Sequence, residues 1–255
     1  MSLVNASLYS DILKKDMKLS VYRPDGYDDK PLPVLYFLHG RTGDEQLIRQ
    51  LGIDKIADKM IQEQAIKPCM IVCPNIDNSR GINSAKVYHE VNGKYGTVHK
   101  GRYEDYITEE LIPFVDGSFN TRQERAGRYI GGVSSGGYSA LHLAFRHQAL
   151  FSKVGGHMPA IDLSFADEDE CYFENEEMWL KYDPIQIAKQ SSSIRLSVFL
   201  DDGKSDEGQF YRACESLYQV LKSKGVTVQN HLFDGEHNAA YIVCNLPTYL
   251  RFYSE

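Results

Sequence analysis

A chain of 255 residues, 42% hydrophobic and 25% charged, can bury a substantial core and does not have a disordered composition. Its formal net charge of −7 argues against a nucleic-acid backbone or an anionic membrane as partner. No apolar run is long enough to span a bilayer, and Met1-Ser2-Leu3-Val4-Asn5-Ala6 lacks the basic-then-apolar order of a signal peptide.

The elements alternate between strand and helix along the chain. Ser7 to Arg23 reads as one or two strands, ended by a turn at Pro24-Asp25-Gly26. Val34 to Leu38 is a continuous apolar run, as expected of a strand buried on both faces. Gln46 to Gln64 has helical periodicity. Cys69 to Cys73 is a second buried strand, stopped by Pro74. Tyr103 to Phe119 reads as a helix bent or divided at Pro113. Arg128 to Val133 is a strand and Gly137 to Phe145 a helix. Lys153 to His157 and Arg195 to Leu200 are further strands. Asp206 to Lys224 is an amphipathic helix, Val226 to Phe233 the last strand and Ala239 to Tyr253 the last helix. This order predicts an α/β fold with a mostly parallel sheet covered on both faces. Repeats and low-complexity linkers are absent, so one domain is expected over 1–255.

Two polar segments interrupt the alternation, 75–100 and 160–183. Both follow strand C-termini, where open α/β sheets place their ligands, so both are expected around the active site. Five scattered cysteines, Cys69, Cys73, Cys171, Cys214 and Cys244, do not form a disulfide framework or a zinc motif. Reduced thiols and a cytoplasmic location are the simpler expectation, with no metal site.

Gly132-Val133-Ser134-Ser135-Gly136 fits G-x-S-x-G between the Arg128 strand and the Gly137 helix. Such a turn holds the serine in a strained conformation with its Oγ exposed, which makes Ser134 the candidate nucleophile. A serine hydroxyl needs a base, and the base needs an orienting acid. In this topology the chain order is Ser, acid, His. His237 lies just after the last strand and is the candidate base. His231, His142 and His147 read as structural. The loop after the Arg195 strand offers Asp201, Asp202, Asp206 and Glu207, and spacing does not choose among them. Oxyanion donors are expected from the backbone N–H of Ser135 and from the loop His39-Gly40-Arg41-Thr42-Gly43-Asp44, in which His39 reads as a support.

The chain resembles the esterase D-like branch of the α/β-hydrolase superfamily, which includes S-formylglutathione hydrolases, feruloyl, acetylxylan and tributyrin esterases and mycolyltransferases. The resemblance rests on Val34 to Gly40 with Gly43-Asp44, on Tyr103 to Pro113, on Gly131 to Gly137, on Gly203-Lys204-Ser205-Asp206 and on Gly235-Glu236-His237. It implies an α/β-hydrolase fold with Asp206 as the acid, Asp202 being the fallback, and with Arg41 as the second oxyanion donor. Three positions depart from the family pattern. Ser135 replaces a frequent methionine, Met158-Pro159-Ala160 replaces Ser-Gly-Ala, and Asn238 replaces an aromatic. Gly40, His157, Met158 and Trp179 are expected to line the substrate pocket.

The activity these features imply is hydrolysis of short-chain acyl or aryl esters, of acetyl or feruloyl type, on carbohydrates or small alcohols. No cofactor is expected, and the partner is the small-molecule or carbohydrate ester itself. The rivals are a thioesterase of the S-formylglutathione hydrolase kind, an acyltransferase and a non-catalytic binding protein on the same fold. The oligomeric state is left open, a homo-oligomer included.

Overall fold

A computed structural model describes residues 2–27 and 29–255. Strands β1 (Ser2–Ser10) and β2 (Lys15–Arg23) form an antiparallel hairpin. They are followed by β3 (Val34–Leu38), the short helices α1 (Leu47–Gln50) and α2 (Ile53–Gln62), and β4 (Met70–Pro74). A small hairpin, β5 (His89–Gly93) and β6 (Gly96–Lys100), precedes α3 (Tyr103–Asp105), a π-helical stretch Tyr106–Leu111 and α4 (Ile112–Ser118). The central unit is β7 (Arg128–Val133), α5 (Ser135–Arg146) and β8 (Lys153–His157). Three short helices, α6 (Glu170–Phe173), α7 (Glu176–Tyr182) and α8 (Pro184–Gln190), lead to β9 (Ser197–Gly203), α9 (Tyr211–Ser223), β10 (Thr227–Phe233) and α10 (Ala239–Ser254).

The sheet runs in the order β1-β2-β4-β3-β7-β8-β9-β10. Strand β2 pairs antiparallel with both neighbours, while β4, β3, β7, β8, β9 and β10 are mutually parallel. Parallel strands need crossovers, and the helices that supply them cover the two faces. The core accordingly splits in two. One cluster joins Tyr36, Ile130 and Val154 to α5 and α9. The other joins Leu35, Phe37 and Phe199 to α2 and α10. Alternate residues of one strand thus serve opposite faces, as Leu35 and Tyr36 do. Every parallel strand ends at the same edge, and the loops beyond that edge carry the candidate site.

Several predicted elements change form. The first strand starts at Ser2, before the predicted Ser7. The helix expected over Gln46 to Gln64 is broken at Gly52, whose φ of +63° interrupts the helical path. The helix predicted over Tyr103 to Phe119 is interrupted by the wider π turn, and Pro113 sits in the first turn of α4, where its missing N–H costs little. The helix expected over Asp206 to Lys224 starts at Tyr211, because Asp206 is held in the preceding loop.

Helix α3 is tied to α5 through the buried carboxyl of Glu104. Its Oε1 accepts from Arg146 Nε at 2.8 Å and from His147 Nε2 at 2.6 Å. Burial acts to raise this carboxyl, but the bonds from His147 and Arg146 win and hold it down to about 2. A carboxylate held below its ordinary value of 4.5 stabilises the fold above that pH and loses the contribution as pH falls toward 2. The stability advantage of wild type over Glu104→Gln, read from urea unfolding, will therefore shrink by roughly 2 kcal/mol between about pH 5 and pH 2. That figure is discounted for the partial exposure of both partners.

Candidate active site

Ser134 occupies the turn between β7 and α5 with φ +54° and ψ −121°, a conformation that a non-glycine residue holds only under constraint. The constraint comes from its own main chain. Its N–H donates to His157 O at 3.0 Å, and its carbonyl accepts from Ala160 N–H at 2.9 Å and Tyr138 N–H at 3.1 Å. Close packing explains the flanking glycines. A Cβ on Gly136 would lie 2.4 Å from the carbonyl oxygens of Leu38 and His39, and one on Gly132 would lie 2.5 Å from Gly136 O. The turn therefore fits only when main chain rests directly on the end of β3.

The hydroxyl of Ser134 donates to His237 Nε2 at 2.9 Å, and His237 Nδ1–H donates to Asp206 Oδ2 at 2.6 Å. Asp206 also accepts the Gly208 N–H at 2.8 Å, so both of its oxygens are engaged. Two backbone bonds hold the acid loop against the histidine loop, Lys204 N–H to Phe233 O at 2.8 Å and Ser205 N–H to Gly235 O at 2.9 Å. The imidazole is 31% exposed, while the Asp206 side chain is buried, so the charge sits behind a ring that substrate can reach. Phe210 stands edge-on to that ring, with centroids 5.6 Å apart. Asn238 caps α10 by accepting the Tyr241 N–H at 3.0 Å, a role that suits an asparagine at this position.

His39 is buried and supports the loop after β3. Its Nδ1–H donates to Gly40 O at 2.8 Å, and its Nε2 accepts the Ile76 N–H at 3.0 Å. Burial lowers its pKa, in keeping with a neutral ring that donates on one side and accepts on the other. The next residues, Gly40 and Arg41, border the cleft, and the Arg41 guanidinium lies 4.4 Å from the centre of the Tyr95 ring. Ser135 opens α5, so its N–H has no acceptor within the helix.

The cleft has a volume of about 830 Å³. Leu47, Leu51, Val133, Met158 and Ile242 are its apolar lining, and Arg41, Gln50, Glu207 and Glu236 are among its polar lining. Gly40 and Met158 line it. His157 and Trp179 do not, and this corrects the expectation for both. His157 is fully buried beneath the turn, donating from Nδ1 to Asp201 Oδ1 at 2.9 Å and accepting at Nε2 from Tyr253 at 3.1 Å. Trp179 is packed against Phe165 at 3% exposure. The segments 75–100 and 160–183 mostly pack on each other, and of the two only Ala160 lines the cleft. Arg80 joins them, with its guanidinium 3.1 Å from Asp169 and flanked by the rings of Tyr138 and Tyr172. Leu47, Leu51 and Ile242 were not foreseen, and their only signal is position, since they follow the oxyanion loop and open the last helix.

A serine on a strained strand-to-helix turn, at the carboxyl edge of a mostly parallel eight-stranded sheet, defines a serine hydrolase of the α/β-hydrolase fold. Residues 10–253 match the family model described as "Putative esterase", and the chain belongs to that esterase family. It is a hydrolase of ester bonds, in agreement with the esterase D-like resemblance. Similar solved structures include a ferulic acid esterase, 20% identical with a TM-score of 0.84, the match covering 99% of this chain and 98% of that one. The fluorophosphonate-binding serine hydrolase FphF of Staphylococcus aureus is 21% identical with a TM-score of 0.80, covering 100% and 98%. An S-formylglutathione hydrolase of Staphylococcus aureus is 21% identical with a TM-score of 0.79, covering 100% and 99%. At this identity the likeness is one of fold. Among the described residues no helix is long and apolar enough to cross a membrane.

The contact of Gly136 with β3 is directly testable. Gly136→Ala will lower stability by about 3 kcal/mol in denaturant unfolding, because backbone has to move to admit the methyl group. The same variant will lose labelling of Ser134 by a fluorophosphonate probe.

Proposed function

We propose that this esterase is a serine carboxylesterase acting on short-chain acyl or aryl esters of carbohydrates or small alcohols through Ser134, His237 and Asp206. The observation that carries the reading is the relay from the Ser134 hydroxyl through both ring nitrogens of His237 to Asp206, opening on the cleft. His237 takes the Ser134 proton as Oγ attacks the ester carbonyl, and Asp206 stabilises the imidazolium. The N–H groups of Ser135 and Arg41 hold the oxyanion. His237 then gives its proton to the leaving alcohol, and an acyl-enzyme remains. Water enters, loses a proton to His237 and releases the acid.

The lining supports both parts of such a substrate: the aliphatic Leu47, Leu51, Met158 and Ile242 suit an acyl chain, and Arg41, Gln50, Glu207 and Glu236 suit a hydroxylated leaving group. Aliphatic lining favours straight-chain acyl groups over feruloyl, since Phe210 is the single aromatic bordering the cleft. The ferulic acid esterase and S-formylglutathione hydrolase neighbours frame the alternatives.

A p-nitrophenyl ester series from acetate to octanoate, with a ferulate ester and an acyl thioester alongside, tests the reading. Wild type will turn over the oxygen esters best at short chain length. Ser134→Ala will abolish the activity, and Asp206→Asn will lower kcat by about 10⁴, because the histidine is no longer held in the productive tautomer. Faster turnover of the thioester would move the assignment to a thioesterase. A wild type with neither turnover nor fluorophosphonate labelling would leave a binding protein.

A further inference from the structure

Behind the relay lies an acid that the reaction scheme does not use. Asp202 is the penultimate residue of β9, fully buried, and its neighbour Asp201 points to the opposite face of the sheet. Both oxygens of Asp201 are engaged, accepting from His157, Tyr241 and Tyr249. Asp202 is not. Its Oδ1 accepts the Gly203 N–H at 2.8 Å, while no donor among the described residues reaches its buried Oδ2. Its carboxyl adjoins that of Asp206, and the Tyr211 N–H at the start of α9 also approaches it. One oxygen of each aspartate and one nitrogen of His237 lie within 4.8 Å of one another.

Two carboxylates cannot hydrogen-bond to each other, because both only accept. A single proton between them resolves both the contact and the orphaned oxygen. We propose that Asp202 is a positioning residue that stays protonated and donates its O–H to Asp206, fixing that carboxylate toward His237 Nδ1. The inference rests on the triad reading above.

The surroundings agree. The groups facing Asp202 are Asp206 and His237 from the two loops and Cys214 with the Tyr211 N–H on α9, while Asp201 and Tyr241 act on it from across the sheet. The strongest influences on it include no cation. Burial, then the bond to Asp206 and its charge, push this carboxyl up to about 8. Below that pH the donor is present. Above it the proton leaves, and two adjacent carboxylates face each other.

The test compares wild type with Asp202→Asn, which keeps a donor without a charge, and Asp202→Ala, which keeps neither. Fluorophosphonate labelling of Ser134 is measured in each. Asp202→Asn will retain kcat within about threefold, and Asp202→Ala will lose about tenfold or more in kcat at unchanged KM. In wild type kcat will decline above about pH 8, and Asp202→Asn will abolish that decline. The acid limb of kcat/KM will coincide in wild type and Asp202→Asn, because a neutral residue replaces a neutral one. An acid limb displaced downward by about one pH unit in Asp202→Asn would mean that a negative charge had been removed, and would overturn the proposal. So would a loss in Asp202→Asn as large as that in Asp202→Ala. Wild type that resists labelling would sink the triad reading, and this proposal with it. Labelled wild type with either contrary result would sink this proposal alone.

Discussion

The backbone conformation of Ser134 is the constraint on which the rest of the site depends. A residue at φ +54° and ψ −121° stays there only if its surroundings overdetermine it. Three backbone hydrogen bonds do so, and they reach β8, the Ala160 loop and α5. The end of β3 supplies the fourth restraint by lying against Gly136. A nucleophile placed by main chain does not depend on the rotamer of any neighbour. The same edge of the sheet delivers Asp206 after β9 and His237 after β10, so the relay closes without a long-range adjustment.

Beneath that turn the sheet is tied to α10 by a second, buried polar group. Asp201 accepts three hydrogen bonds, and His157 connects it to Tyr253. The Asp201 carbonyl also accepts the Met158 N–H at 3.0 Å, which holds the cleft floor to β9. Polar groups this deep are costly unless they find partners, and here both oxygens of the Asp201 carboxylate accept hydrogen bonds. The polar interior therefore stiffens the frame, while the reacting residues lie in loops above it.

Much of this was legible in the sequence, for definite reasons. Val34 to Leu38 and Cys69 to Cys73 read as strands because both faces are buried and the runs are continuously apolar. Ser134 and His237 were marked by glycine pattern and by chain order. Asp206 needed the family pattern, because four acids share one loop and only the fold tells which one turns toward the histidine. The break at Gly52 was hidden, since helical periodicity continues on both sides of a single left-handed residue. His157 and Trp179 were misplaced for one reason. An aromatic near a strand end has equal claim to a pocket and to the core, and here each found a partner in the interior. Arg80 and Asp169 were invisible as a pair because nearly ninety residues separate them along the chain.

The break at Gly52 divides labour between two parts of the molecule. Helix α2 is built into the core through Ile53, Ala57 and Met60, while Leu47 and Ile48 of α1 and the following Leu51 join the same core and Leu47 and Leu51 also line the cleft. A left-handed residue between them lets the turn be reshaped without redirecting the longer helix. The cleft lining is written in side chains that can change one at a time, while the serine turn, written into backbone, tolerates almost no change.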